Sequence, residues 1–340
     1  MTSTVTPDSP STSVLEGLPG PLIPGTGHEA RIGADAQAVT TRYWQYGKGM
    51  GSGTFPEGCY PVLLVHGFRG DHHGLEIIAN YLLKLIPNVS IISPDLPGFG
   101  RSGDLPESAP GEDSIDAYVT WLNDFVEHTN PLGLPLHVVG HSFGSILTSA
   151  FAAAHPTSLT RLSLINPISE PALEGRQRVT SRLASLYYRA GAALPEKIGY
   201  PLLRSQLITR LSSEVMMRTK DRAMRRFING QHAAYFGSFG SRRGVLSAYE
   251  ASIAHTAAEY AAAIRVPVQM LVAEDDDLGT PETARAMYAT LTSRDMPAPS
   301  TARERLDMIP EVGHLIHYET PHLAAELIAD FAAEHSGNEK

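Results

Sequence analysis

One pentapeptide, Gly140-His141-Ser142-Phe143-Gly144, constrains the architecture of this chain more than any other feature. The apolar run Leu136-His137-Val138-Val139 precedes it, and the helix-forming stretch Ser145-Ile146-Leu147-Thr148-Ser149-Ala150 follows. At a junction of strand and helix, the two glycines are expected to let the backbone turn so sharply that the serine side chain stands clear at the tip. Glycine and serine are common residues, so the strand before and the helix after give the pattern its weight.

A reactive serine needs a base, and the base needs an acid to orient it. With this local order of elements, both are expected further along the chain, the acid first. Val266-Pro267-Val268-Gln269-Met270-Leu271-Val272-Ala273 is a short β-type run that ends in Glu274-Asp275-Asp276-Asp277. Arg305-Leu306-Asp307-Met308-Ile309-Pro310 leads to Glu311-Val312-Gly313-His314, ahead of a terminal stretch rich in Ala and Leu. Upstream, Pro61-Val62-Leu63-Leu64-Val65 runs into His66-Gly67-Phe68-Arg69-Gly70, a candidate strand-end loop.

Together these motifs resemble the α/β-hydrolase fold superfamily, over about residues 35–335 and in two blocks separated by a long insertion. His66-Gly67 resembles that family's oxyanion loop, and Asp95-Leu96-Pro97-Gly98-Phe99-Gly100-Arg101-Ser102 resembles its D-x-x-G-x-G-x-S loop. The resemblance implies an α/β fold, a mostly parallel sheet of the eight-stranded type with helices on both faces, plus a helical cap. It implies Ser142 as nucleophile, His314 as base, and the backbone N–H groups of Phe68 and Phe143 as oxyanion donors. For the acid, family loops read G-x-x-D with Pro or Gly shortly after. Ala273 stands at the glycine position, so counting three on gives Asp276, whereas counting four back from Pro281 gives Asp277. The form Asp276-Asp277-Leu278-Gly279 favours Asp276, with Asp277 and Asp275 as alternatives. Asn166-Pro167, after the preceding strand, offers no carboxylate.

The same resemblance implies a serine hydrolase acting on a carboxylic ester through an acyl-enzyme. Haloalkane dehalogenases and epoxide hydrolases of this fold carry aspartate at the turn, where this chain has Ser142. Cleavage of a diketone C–C bond, an amide or a perhydrolase reaction stays open, because the same three residues serve all of them. A silent member used for ligand binding is the alternative from another class. His66-Gly67-Phe68-Arg69-Gly70 differs from the His-Gly-Gly-Pro-Gly loop of prolyl aminopeptidases, which counts against peptides.

Four segments are expected: an arm over 1–28 rich in Ser, Thr, Pro and Gly, a first core block over 29–168, a helical cap over 169–264, and a second core block over 265–340. An opening pair of strands is expected within 29–46. Strands at 61–65, 89–94, 135–140 and 159–166 alternate with helices near 74–86, 114–129 and 144–155, the pattern of a parallel sheet covered on both faces. Between Ser169 and Ile264 the alternation stops, and Val179–Arg189, Leu202–Leu211 and Ala223–Phe227 read as helices.

Charge divides the chain. Residues 169–264 carry fourteen Lys or Arg against seven acids, about +7, which leaves −16 for the remainder of a chain at −9 overall. The insertion therefore reads either as a solvated surface or as one that attracts an anionic substrate or lipid surface. The net negative charge argues against nucleic acid as a partner. Cys59 stands alone, and residues 1–10 lack a basic start and an apolar stretch, so a cytoplasmic protein is expected. No run of about 18 apolar residues is present to span a membrane.

The expected partner is a small-molecule ester or acyl substrate; no cofactor and no metal is expected, and oligomeric state is not indicated. His66 and His141 read as braces, and His317 as a rival to His314 outside the family position. Asp71-His72-His73 resembles a metal cluster only superficially, since contiguous side chains diverge. Glu274–Asp277 lacks EF-hand spacing. Gly47–Gly58 lacks the G-x-x-x-x-G-K-[ST] pattern of a phosphate loop. Asn88-Val89-Ser90 matches a glycosylation sequon at the start of a strand.

Overall fold

Strand β3 (Tyr60–Val65) shows how the sequence builds the centre of the molecule. Every residue from Pro61 to Val65 is buried, and successive side chains point to opposite faces. Leu63 and Val65 join an apolar cluster containing Phe125, Ile146 and Phe151. Val62 and Leu64 join another containing Ile78, Leu82 and Ile328. Burial on both faces is why the strand reads as one apolar run, and each such Val or Leu contributes about 1.5–3 kcal/mol.

The computed structural model of the chain describes residues 22–34, 37–106, 114–171, 178–295 and 303–334. Strands β1 (Thr26–Ile32), β2 (Val39–Gly47), β3, β4 (Val89–Pro94), β5 (Leu136–His141), β6 (Leu159–Ile165), β7 (Val268–Ala273) and β8 (Arg305–Ile309) form one sheet. Their order is β1-β2-β4-β3-β5-β6-β7-β8. Strands β3 to β8 run parallel, while β2 is antiparallel to both β1 and β4. Helices α1 (His73–Leu85) and α11 (Pro321–Ala333) cover one face, with the short α10 (Ile316–Glu319) beside them. Helices α2 (Ser114–Thr129), α3 (Phe143–Ala154) and α9 (Pro281–Thr292) cover the other.

These elements follow the expected alternation closely. Strand β1 begins at Thr26, inside the segment expected as an arm through residue 28. Its sequence is polar, but pairing along β2, from Thr26 opposite Gln45 to Ile32 opposite Val39, satisfies its backbone, so tertiary pairing overrides propensity. Residues 1–21 of that arm lie outside the described residues.

Between β6 and β7 come α4 (Arg178–Ala193), α5 (Glu196–Leu203), α6 (Gln206–Met216), α7 (Arg222–Tyr235) and α8 (Arg242–Ala254). A 3-10 turn over 257–263 returns the chain to the sheet. The single helix expected over Leu202–Leu211 is two, because Ser205 adopts an extended backbone, φ −60° and ψ 116°, and starts α6 afresh. Among the described residues no helix is long and apolar enough to cross a membrane.

Candidate active site

The turn at residue 142 is strained where function would place strain. Ser142 has φ 54° and ψ −120°, a left-handed conformation that non-glycine residues rarely adopt. The flanking glycines permit the sharp turn through close approach, since neither has positive φ. A methyl on Gly140 would stand 2.6 Å from the Gly144 carbonyl oxygen, and one on Gly144 would stand 2.6 Å from that of His66. Ser142 N donates to Ile165 O at 3.1 Å, and Ser145 Oγ donates back to Ser142 O at 2.5 Å, so β6 and α3 hold the strained residue from two sides.

The parallel strands end on one edge of the sheet, and their loops bring distant residues to Ser142. His314 lies between β8 and α10, with Nε2 2.8 Å from Ser142 Oγ. Its Nδ1 faces Asp276, 2.9 Å from Oδ2 and 3.1 Å from Oδ1. Asp276 lies in the turn after β7, is 4 % exposed, and accepts from the Leu278 N–H at 2.8 Å. Asp277 turns away and pairs with Arg218, and Asp275 is exposed. Of the three candidate acids, only Asp276 meets His314. The chain Asp276–His314–Ser142 can hold the imidazole by its Nδ1 edge and leave Nε2 free to receive the serine proton.

The loop 66–70 lies directly against this group. A methyl on Gly67 would stand 3.1 Å from Ser142 Cβ. His66 is held at both ends, Nδ1–H donating to Gly67 O at 2.8 Å and Nε2 accepting the Leu96 N–H at 2.9 Å. Burial lowers its pKa and keeps it neutral, which both bonds require. His141 is also a brace: its Nε2–H donates to the His314 carbonyl at 3.2 Å, and burial, then the neighbouring His314, push its pKa down to about 3. His317 packs on His141 with ring centroids 4.2 Å apart and is itself buried, its pKa held well below the usual range by burial. Phe68 and Phe143 flank Ser142 on one cavity wall.

Sequence reasoning missed two residues. Arg69, with φ 61°, is 3 % exposed. Its guanidinium donates to Phe236 O at 3.1 Å, Tyr188 Oη at 3.3 Å and Leu203 O at 2.9 Å, tying the loop to three segments of the insertion. Asn166 accepts the Ala273 N–H at 2.8 Å and donates to Gly313 O at 3.1 Å, pinning the β7 end to the histidine loop. Only a polar residue at a buried strand end hinted at either.

Two cavities meet at Ser142. One, of about 180 Å³, is walled mainly by apolar groups such as Phe143, Ile146, Ile168 and Ile253. The other, of about 130 Å³, also receives Asp71, Gln231, His232 and Tyr235. Phe68 and Leu278 line both.

Asp71, His72 and His73, expected to diverge, converge instead: one ligand atom from each lies within 4.8 Å of the others. Stacking accounts for it. His72 lies flat on Trp44 and His73 on Tyr235, while Asp95 and Asp71 take their Nδ1 positions at 2.9 and 3.0 Å. Asp95 also accepts the Arg101 N–H at 2.8 Å, so the 95–102 motif is a structural hub beside the site.

The sequence profile of the alpha/beta hydrolase family matches residues 62–327. Human monoacylglycerol lipase ABHD6 is 25% identical over 279 residues, covering 80% of this chain and 75% of that protein. Lipase LipV of Mycobacterium tuberculosis is 38% identical over 136 residues, covering 39% of this chain and 47% of LipV. Among solved structures, a thermophilic esterase from Thermogutta terrifontis superposes with a TM-score of 0.63 at 22% identity, over 91% of this chain and 98% of that one. At that identity the likeness speaks for the fold alone.

Proposed function

This chain belongs to the alpha/beta hydrolase family, and from that premise we propose that it is a serine hydrolase that cleaves a carboxylic ester through an acyl-enzyme on Ser142. The observation that carries the reading is the unbroken line from Asp276 through His314 to Ser142 Oγ, with 2.9 Å and 2.8 Å at its two joints. Relatives named as lipases support the ester as the bond.

In this reading His314 Nε2 takes the proton of Ser142 Oγ as the oxygen attacks the ester carbonyl. Asp276 fixes the tautomer and stabilises the imidazolium. The carbonyl oxygen becomes an oxyanion between the N–H groups of Phe68 and Phe143, and each such donor is worth about 3–4 kcal/mol in barrier. His314 then gives its proton to the leaving alkoxide, and the alcohol departs. Water, deprotonated by the same imidazole, attacks the acyl group and restores Ser142 with release of the acid.

The helices of 169–264 serve as the cap. The apolar cavity beneath them takes the acyl chain, and the second, lined by Gln231, His232 and Tyr235, takes the alcohol portion. The test is turnover of p-nitrophenyl esters of increasing acyl length, beside an amide and a diketone, by wild type and Ser142→Ala. Ester turnover in wild type alone is expected. Equal turnover by the two proteins removes the reading.

A further inference from the structure

The insertion helices turn the wrong side to water. Helix α6 buries Thr209 and Ser213, while Leu207, Leu211 and Val215 are 68%, 54% and 51% exposed. These three lie four residues apart and so form one stripe. A helix at the surface of a globular protein buries such a stripe, and α6 does the reverse. On α4, Leu183 and Leu186 are similarly exposed, and on α5 so is Ile198. Of the twelve exposed large apolar side chains among the described residues, six fall within 178–216, so they are concentrated and not scattered.

Cations are exposed on the same stretch of helices. Arg182, Arg189, Lys197, Arg204 and Arg210 are exposed, and none forms an ion pair among the described residues. Glu196 is the only exposed acid on α4–α6 among the described residues. The inner sides of the same helices reach the cavities, Ala184 of α4 lining the apolar one and Met216 of α6 the other.

Exposed apolar side chains together with exposed cations outside any ion pair, on the same helices, match a surface that offers hydrocarbon beneath negative headgroups. A second copy of the chain fits poorly, because a two-fold contact would set these cations against themselves. We propose that α4–α6 form a docking surface for an anionic lipid–water interface, seating the cavities at Ser142 above the lipid. Docking stands independently of the reaction; only delivery of an ester to Ser142 rests on the function proposed above.

The experiment is co-sedimentation of the full chain with vesicles of phosphatidylcholine, alone or mixed with phosphatidylglycerol, for wild type and Ser142→Ala. Both proteins are expected to partition onto the mixed vesicles, and at least about tenfold less onto the neutral ones. A Leu207→Ser, Leu211→Ser, Val215→Ser variant is expected to lose at least about tenfold in partitioning while keeping its circular dichroism and its turnover of a soluble ester. An Arg189→Gln, Lys197→Gln, Arg204→Gln, Arg210→Gln variant is expected to lose the preference for anionic lipid. No partitioning of wild type, equal partitioning onto both vesicles, or a dimer that the leucine variant abolishes overturns the proposal. Vesicle binding by a wild type that hydrolyses no ester leaves docking standing and removes only the reaction.

Discussion

The guanidinium of Arg69 donates to the Leu203 carbonyl at 2.9 Å, across 134 residues of chain. Its neighbour Phe68 contributes a proposed oxyanion donor, so one residue links the reacting centre to the helices above it. Replacement by methionine keeps the volume but leaves the Leu203 and Phe236 carbonyls without this donor. Arg69→Met is expected to cost about 2–4 kcal/mol in unfolding free energy, read by urea denaturation. It is also expected to lower kcat more than it raises KM, because the loop geometry matters most when the oxyanion forms.

The two adjacent aspartates are predicted to differ sharply. Asp276→Asn removes the carboxylate facing His314 Nδ1 and is expected to reduce kcat by about 10⁴. Asp277→Asn breaks a half-exposed pair with Arg218 and alters one wall of the apolar cavity, but leaves the contact between Asp276 and His314 intact, so a loss in kcat far smaller than that of Asp276→Asn is expected. Steady-state kinetics of both variants on one ester checks the pair; the reverse ranking would move the acid to Asp277.

Close approach at Gly144 gives a stability prediction. A methyl there meets the Val65 and His66 carbonyl oxygens, which are backbone and cannot rotate away. Gly144→Ala is expected to be lost to the insoluble fraction or to unfold tens of degrees below wild type. Gly230, inside α7, has nothing within 4 Å, and Gly230→Ala is expected to stabilise by about 0.5–1 kcal/mol. Thermal unfolding by circular dichroism compares them.

Acid should unfold this protein from within. Burial lowers the pKa of His66, His137, His141, His232 and His317, with His141 and His232 at about 3. Below the unfolded value near 6.5 the unfolded chain binds protons that the folded one does not, so stability falls as pH falls. The contribution is whole above pH 6.5 and is lost as pH drops from there toward about 3. At pH 5 each such histidine costs up to about 2 kcal/mol. Denaturant midpoints are expected to hold between pH 8 and about pH 6.5 and to fall from there to pH 5, and a profile flat throughout contradicts the neutral-histidine assignment.

The core was readable because period and length were unambiguous. Runs such as Val62–Val65 and Val89–Pro94 are buried on both faces, so their sequence carries no polar alternation to confuse. Residues of the proposed site stood out in the sequence because they follow strand-like runs, and the structure brings two of them together, His314 Nδ1 lying 2.9 Å from Asp276 Oδ2. Harder to read were relations between distant segments. Arg69 reaches three backbone and hydroxyl acceptors that no local pattern announces. Helix α6 carries an apolar stripe, Leu207, Leu211 and Val215, whose outward facing no local pattern announces. The Asp71-His72-His73 rings converge through stacking on Trp44 and Tyr235, partners remote in sequence.

Whether the hydroxyl of residue 142 is activated is tested most directly by intact-protein mass spectrometry after treatment with a fluorophosphonate. One adduct per wild-type chain, mapped by peptide fragmentation to Ser142 and absent from Ser142→Ala and from thermally unfolded protein, is the predicted result. Folded wild type that takes up no adduct, or takes it up equally in the alanine variant, contradicts the account.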